Sequence, residues 1–394
     1  MSQITTSPAV TTASSDPSPV VADPSIALAT GILTVDLGAI IANWRMLEKA
    51  GLPAECGAAV KANAYGCGLD PVVRTLASAG CKTFFVATLD EARAARAAAP
   101  SAAIFVLGGF TQGSGDAFAA INAQPVIGDL NELAEWDVFR RFSGWPGGAA
   151  IHVDTGMNRL GFSPPDAASL QPRIKAGDRG ITLVMSHLAC ADNPGHPLNA
   201  RQASSFREAA SLFSGVPASL ANSPGVFLGP QFHFDINRPG AALYGVNPTP
   251  DAANPMLPVV DLKARIVQIR DVPRGEAVGY SATWTARRPT RLAIVAAGYA
   301  DGYFRAAGSS DGTRGADVIV AGQRCPIAGR ISMDLLSVDI SDLPDNAARR
   351  GQMVTLIGDG ITVDELAHHF GTIAYEVLTS IGSRYHRVYK GGAT

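Results

Sequence analysis

Lys61 follows the apolar run Ala58–Val60 directly. An amine at the carboxyl end of a buried strand can act as a structural cation in a salt bridge. Partly desolvated, it can instead attack a carbonyl and hold it as a Schiff base. Position alone does not separate these readings, and a salt-bridged structural lysine is the commoner of the two. Tyr65 stands four residues on, as a core aromatic or as a phenol with a ligand to hold. His187, in MSHLA, closes another apolar run; its imidazole is either a satisfied structural group or a proton carrier near neutrality. Arg238 precedes Pro239 in NRPGAALYG, and a guanidinium that keeps its proton can only donate hydrogen bonds. Tyr280, in GYSATWTA, carries a phenol with an ordinary pKa of about 10. It can act as a base near neutral pH only if its neighbours lower that value or relay its proton.

The elements that must position these groups fall into two rhythms. Over residues 31–255, short apolar runs alternate with helical patterns. Strand candidates are Ile32–Val35, Ala58–Val60, Thr83–Ala87, Ala103–Leu107, Pro125–Ile127, Ala149–Val153, Ile181–Met185 and Ala241–Tyr244. Asp36 is placed to cap a helix with Ile40, Ile41, Trp44 and Leu47 on one face, and Asp90–Ala99 is an alanine-rich helical stretch. Buried strands alternating with helices imply a parallel sheet, and this number of units predicts an α/β fold of the (β/α)8 TIM-barrel type, with a doubly wound open sheet as the alternative. Lys61 would then sit at the end of the barrel where active sites form. The proline-rich stretch Asn247–Pro258 marks a boundary, and residues 256–394 read as a β-rich domain of closely spaced strands. Near its end Thr362 and Glu365 have capping-box spacing, with Gly371 placed to stop the helix.

With 394 residues, 47% hydrophobic and 17% charged, the chain is long enough for a large buried core in two or three domains. A net charge of −2 gives no bulk electrostatic grip on nucleic acid or a membrane surface. The five cysteines are odd in number and contain no CxxC pair, which fits reduced thiols in a cytoplasmic protein. Residues 1–30, rich in Ser, Thr, Pro and Ala, lack the cationic start and apolar core of a secretory signal and read as a disordered tail. No run has the apolar length of a membrane span.

Taken in order, VKANAYGCGL from Val60, DTGMNRLGF from Asp154, NRPGAALYG from Asn237, GYSATWTA from Gly279, GYADG from Gly298 and GRISMD from Gly329 resemble the alanine racemase family of fold-type III pyridoxal-phosphate enzymes. The resemblance runs from about Gly31 to Tyr389. It implies pyridoxal 5'-phosphate as cofactor, held by Lys61 as a Schiff base, and a two-base racemisation of L- and D-alanine with Lys61 on one face of Cα and Tyr280 on the other. It implies Tyr65, Asn222, Ser223, Gly240, Ala241 and Tyr375 around the phosphate, His187 beside the ring, and Arg238 facing the pyridine nitrogen. An arginine there leaves that nitrogen unprotonated, which limits charge delocalisation and favours simple reprotonation at Cα. Arg159 and the backbone amide of Met333 would hold the substrate carboxylate, and Tyr299 and Asp334 would line the entry. Because Tyr280, Tyr299 and Met333 serve the partner's site in this family, the resemblance also implies a homodimer with shared active sites. It implies no metal, nucleic-acid or membrane partner.

Three positions depart from the family pattern. His152 stands where many relatives carry a lysine that is often carbamylated and orients the substrate arginine. Imidazole forms no stable carbamate of that kind, so Arg159 is left to be positioned by an anion such as chloride or by a neighbouring carboxylate. Cys67 replaces the histidine of YGHG, and Ser332 the cysteine of GRICMD. The competing readings are a broad-specificity or serine racemase, a fold-type III decarboxylase, and a non-catalytic pyridoxal-phosphate-binding homeostasis protein. Arg238 and Tyr280 speak against the decarboxylase, and the second domain against the homeostasis protein.

Overall fold

The computed structural model describes residues 24–175 and 180–392. Most of the expected disordered tail lies outside the described residues. Its last part is ordered, since Pro24–Leu28 is a helix and Arg265 donates to the carbonyls of Ala27 (3.1 Å) and Ala29 (3.0 Å).

Seven parallel strands follow in chain order: Ala58–Ala59, Thr83–Val86, Ala103–Val106, Gln124–Ile127, Ala149–His152, Ile181–Met185 and Ala218–Ser219. The eighth, Ile236–Asn237, closes the ring. On one side Arg238 N–H donates to the Ala221 carbonyl (2.9 Å), and on the other Gly57 and Ala59 N–H donate to Asn237 and Pro239 (3.0 and 2.8 Å). Side-chain alternation along each strand divides the core. Phe85 points into the barrel, where Ala59, Phe105, Val126, Ala150, Leu183 and Met185 fill the interior, whereas Phe84 and Val86 point out to the helices. Two sequence expectations change here. The apolar stretch Ala241–Tyr244 is a 3-10 helix, not a strand. The strand Gly31–Asp36 does not enter the barrel; it pairs antiparallel with Val260–Val272 and parallel with His386–Lys390.

That pairing places Gly31–Asp36 inside the second, eight-stranded sheet, organised around the long strand Val260–Val272. Asp36 still caps the helix Leu37–Ala50, accepting from the Ala39 amide at 2.9 Å. The helix Val363–Phe370 starts and stops where the sequence signals it, with Thr362 capping and Gly371 left-handed at φ +69°. The following helix, Ala374–Thr379, leans back over the barrel mouth and becomes part of the site.

Candidate active site

At the carboxyl end of the barrel lies a cavity of about 1240 Å³, roofed by Thr372–Thr379. Lys61, Tyr65, His187, Asn222, Ser223, Arg238, Gly240, Ala241, Tyr375 and Arg159 all line it, as does His152. The barrel and the helix Ala374–Thr379 thus bring every expected cofactor ligand and the expected substrate arginine to one cavity.

Arg238 forms the floor. It is 6% exposed and lies over the Phe85 ring at 5.8 Å. Its Nη1 donates to Ser219 Oγ and its Nη2 to the Ser186 carbonyl, both at 2.5 Å, with weaker contacts to Leu220 O and His187 Nδ1 at 3.4 Å. No carboxylate pairs with it, and its Nε has no hydrogen bond among the described residues. Burial pulls its pKa down to about 9, which leaves it cationic at neutral pH. Burial, then the cations Arg238 and Arg159, hold His187 well below the ordinary imidazole range. The same causes bring His152 down to about 4. Both imidazoles are therefore neutral near pH 7, and Arg238 can donate toward His187 Nδ1.

The opposite wall is a hydroxyl-lined cradle. Ser223 Oγ accepts from the amides of Gly240 (2.8 Å) and Ala242 (3.2 Å), locking the two expected turns to each other. A Cβ at residue 240 would sit 2.4 Å from Tyr65 Oη, so glycine is what lets the phenol reach this turn. Tyr65 stacks on Tyr244 at 4.7 Å between ring centroids and meets Tyr375 edge-on at 6.4 Å. Burial raises the pKa of both Tyr65 and Tyr375, so each is a neutral hydrogen-bond donor.

Lys61 opens the segment Lys61–Tyr65. Burial first, then Arg159, lower its pKa, while Glu91 opposes them. Its amine is thereby brought nearer to the neutral form that a nucleophile or base needs. Arg159 makes no ion pair among the described residues, and the nearby carboxylate of Asp154 is engaged by the amides of Gly156, Met157 and Asn158 at 2.9–3.1 Å. A carboxylate partner for Arg159, one of the two expected options, is not present there.

Tyr280, Tyr299, Met333 and Asp334 do not line this cavity. They lie in the β-rich domain, where Tyr299 N–H donates to Ser332 O (3.1 Å) and Ala300 N–H to Met333 O (3.0 Å). Tyr280 is 68%, Met333 51% and Tyr299 44% exposed, and Leu335 beside them is exposed too. Asp334 pairs with Arg384 at 2.6 Å. Several functional neighbours were not singled out from sequence: Glu91, Tyr244, and Ser186 and Ser219, which hold Arg238. Only Glu91 carried a local signal, the capping-box spacing with Thr88.

A TIM-type barrel with a strand-end lysine, a buried arginine and a hydroxyl-lined turn in one cavity, followed by a strand-rich domain, defines a class of barrel proteins with a ligand site at the barrel mouth. Comparison with known proteins narrows it. The family model for the alanine racemase N-terminal domain matches residues 35–248, and that for the alanine racemase C-terminal domain matches residues 259–389. An alanine racemase of Methylobacterium nodulans is 50% identical over 362 residues, covering 92% of this chain and 96% of the relative. The crystal structure of alanine racemase from Bartonella henselae with covalently bound pyridoxal phosphate superposes with a TM-score of 0.86 at 37% identity, covering 92% of this chain and 99% of that one. Biosynthetic alanine racemase from Pseudomonas aeruginosa gives a TM-score of 0.83 at 38% identity, covering 92% and 100%. The chain belongs to the alanine racemase family.

Proposed function

We propose that this protein is a pyridoxal-phosphate-dependent racemase that interconverts L- and D-alanine, with Lys61 and Tyr280 as the opposed bases. The observation that carries the reading is the joint placement, in one cavity, of Lys61, the buried Arg238 and the Ser223–Gly240 cradle. The residues fit the cofactor. Arg238 has an Nε with no acceptor among the described residues, suited to a ring nitrogen, and Tyr65, Ser223, Tyr375 and the Gly240–Ala241 turn suit a phosphate. When bound, pyridoxal phosphate supplies an electron sink that acidifies the Cα–H bond of an amino acid.

The remaining work falls to the chain's own groups. Lys61 anchors the cofactor and, once released, its amine takes or returns a proton on one face of Cα. Arg238 donates without surrendering its proton, so it withholds one from the ring nitrogen and restrains side reactions. Arg159 grips the substrate carboxylate. Tyr280 serves the opposite face, and because it is exposed on the β-rich domain of its own chain we assign it, with Tyr299 and the Met333 amide, to the site of a second copy. The exposed apolar residues Leu160 and Ile373 beside the barrel mouth, and Leu335 beside Tyr299, support a symmetric homodimer. The free cysteines support a reducing, cytoplasmic location. No described helix is long and apolar enough to cross a membrane.

The test is L-alanine in deuterated water, with Cα deuterium and chirality followed together. Exchange with inversion to D-alanine is expected, and Lys61→Ala should abolish both. Release of CO2, or binding of the cofactor without exchange, would overturn the reading.

A further inference from the structure

Four consecutive non-glycine residues after Lys61 are left-handed: Ala62, Asn63, Ala64 and Tyr65 have φ of 53°, 53°, 52° and 53°. L-residues disfavour that region, and such a run persists only where its surroundings hold it. Glu91, which lines the same cavity, binds the first two amides of the run. Its Oε1 accepts from the amides of Ala62 (2.6 Å) and Asn63 (3.4 Å), and its Oε2 from those of Ala87 (2.8 Å) and Thr88 (3.3 Å). One carboxylate thus ties the turn that follows Lys61 to the turn that follows the neighbouring strand Thr83–Val86.

We propose that Glu91 is a positioning residue for the reaction. By clamping the left-handed turn it fixes Lys61 and Tyr65 at the two ends of that turn, one toward the cofactor carbonyl and the other toward its phosphate. This rests on the reading of those two residues as cofactor ligands. The clamp needs an acceptor-only side chain. Glutamine would turn an NH2 group against one of the two amide pairs, leaving two donors facing a donor. Glu132 repeats the device one pair of strands on, accepting from the amides of Gly128 (2.7 Å) and Phe110. That loop carries neither Lys61 nor Tyr65, so Glu132 provides an internal control.

The experiment uses the full-length protein with E91Q, E91D, E132Q and the double change E91Q with A62G. Two quantities are read: amide hydrogen exchange of the cofactor-free protein, and pyridoxal-phosphate loading as the borohydride-trapped adduct on Lys61. In E91Q the amides of Ala62 and Asn63 should exchange at least tenfold faster while the rest of the barrel changes less than about twofold, and loading should weaken at least tenfold. Glycine accepts the left-handed region without strain, so A62G should restore most of the loading in the E91Q background. E91D keeps the charge but is one methylene short, and it gives the same readouts should E91Q not fold. Unchanged exchange and loading in E91Q would overturn the proposal, as would an equal loss of loading in E132Q or no rescue by A62G. A wild-type protein that never loads at Lys61 would instead overturn the cofactor reading, leaving the exchange result to judge the clamp.

Discussion

At the residue scale, Arg238 sets a conflict between stability and chemistry. Among the described residues its buried charge has only neutral hydrogen-bond partners, and burial lowers its pKa to about 9. Burying such a charge costs several kcal/mol, and no carboxylate among the described residues pairs with Arg238 to offset it. Arg238→Met should therefore hold or raise the thermal midpoint of the cofactor-free protein while destroying racemisation. A large drop in the midpoint would show that the hydrogen bonds outweigh the desolvation. His152 gives a pH prediction of definite sign. Its pKa is held near 4, against about 6.5 in an unfolded chain. The unfolded state binds the extra proton first, so this contribution is intact above pH 6.5 and is lost as pH falls toward 4, by up to ~3 kcal/mol. His152→Gln should flatten the stability profile in that window. A neutral imidazole also cannot form the carbamate many relatives use. With Asp154 engaged elsewhere, activity should depend on chloride and not on bicarbonate. Bicarbonate dependence with no chloride effect would contradict this.

Among the elements, the left-handed turn joins the two proposed cofactor ligands Lys61 and Tyr65. It is also braced from the second domain, because Arg387 donates to the Gly66 carbonyl at 3.3–3.4 Å. A Cβ on Gly66, at φ +82°, would lie 2.3 Å from the carbonyl oxygen of Leu378. Gly66→Ala should then cost about 2 kcal/mol or more, through both φ strain and displacement of the helix Ala374–Thr379 that carries Tyr375. Unchanged chemical denaturation would refute it. These contacts explain what could be read in the sequence. The barrel and the β-rich domain were legible because apolar periodicity is local, as were the caps at Asp36 and Thr362. The partner of Gly31–Asp36 was not, since its neighbours lie more than two hundred residues away and a strand pattern names no partner. Ala241–Tyr244 misled because a four-residue apolar run is equally fit for a buried strand or a buried turn. Glu91 showed a capping spacing but not the clamp, which depends on two loops meeting in space.

At the scale of the whole molecule, the sharing of sites between two copies came from the family resemblance and not from the pattern of any local segment. The motifs placed Lys61 and Tyr280 in one reaction, yet in a single chain the phenol lies exposed on the β-rich face while the amine faces the barrel cavity. With Lys61 and Tyr280 as the paired bases, the reaction therefore requires two copies, each lending its β-rich face to the other's barrel mouth. Mixing a Lys61→Ala chain with a Tyr280→Phe chain tests this claim most directly. Random reassortment makes half the dimers hybrid, and each hybrid retains one site with both bases, so about a quarter of wild-type activity should return. No recovery, with subunit exchange verified, would contradict the shared site.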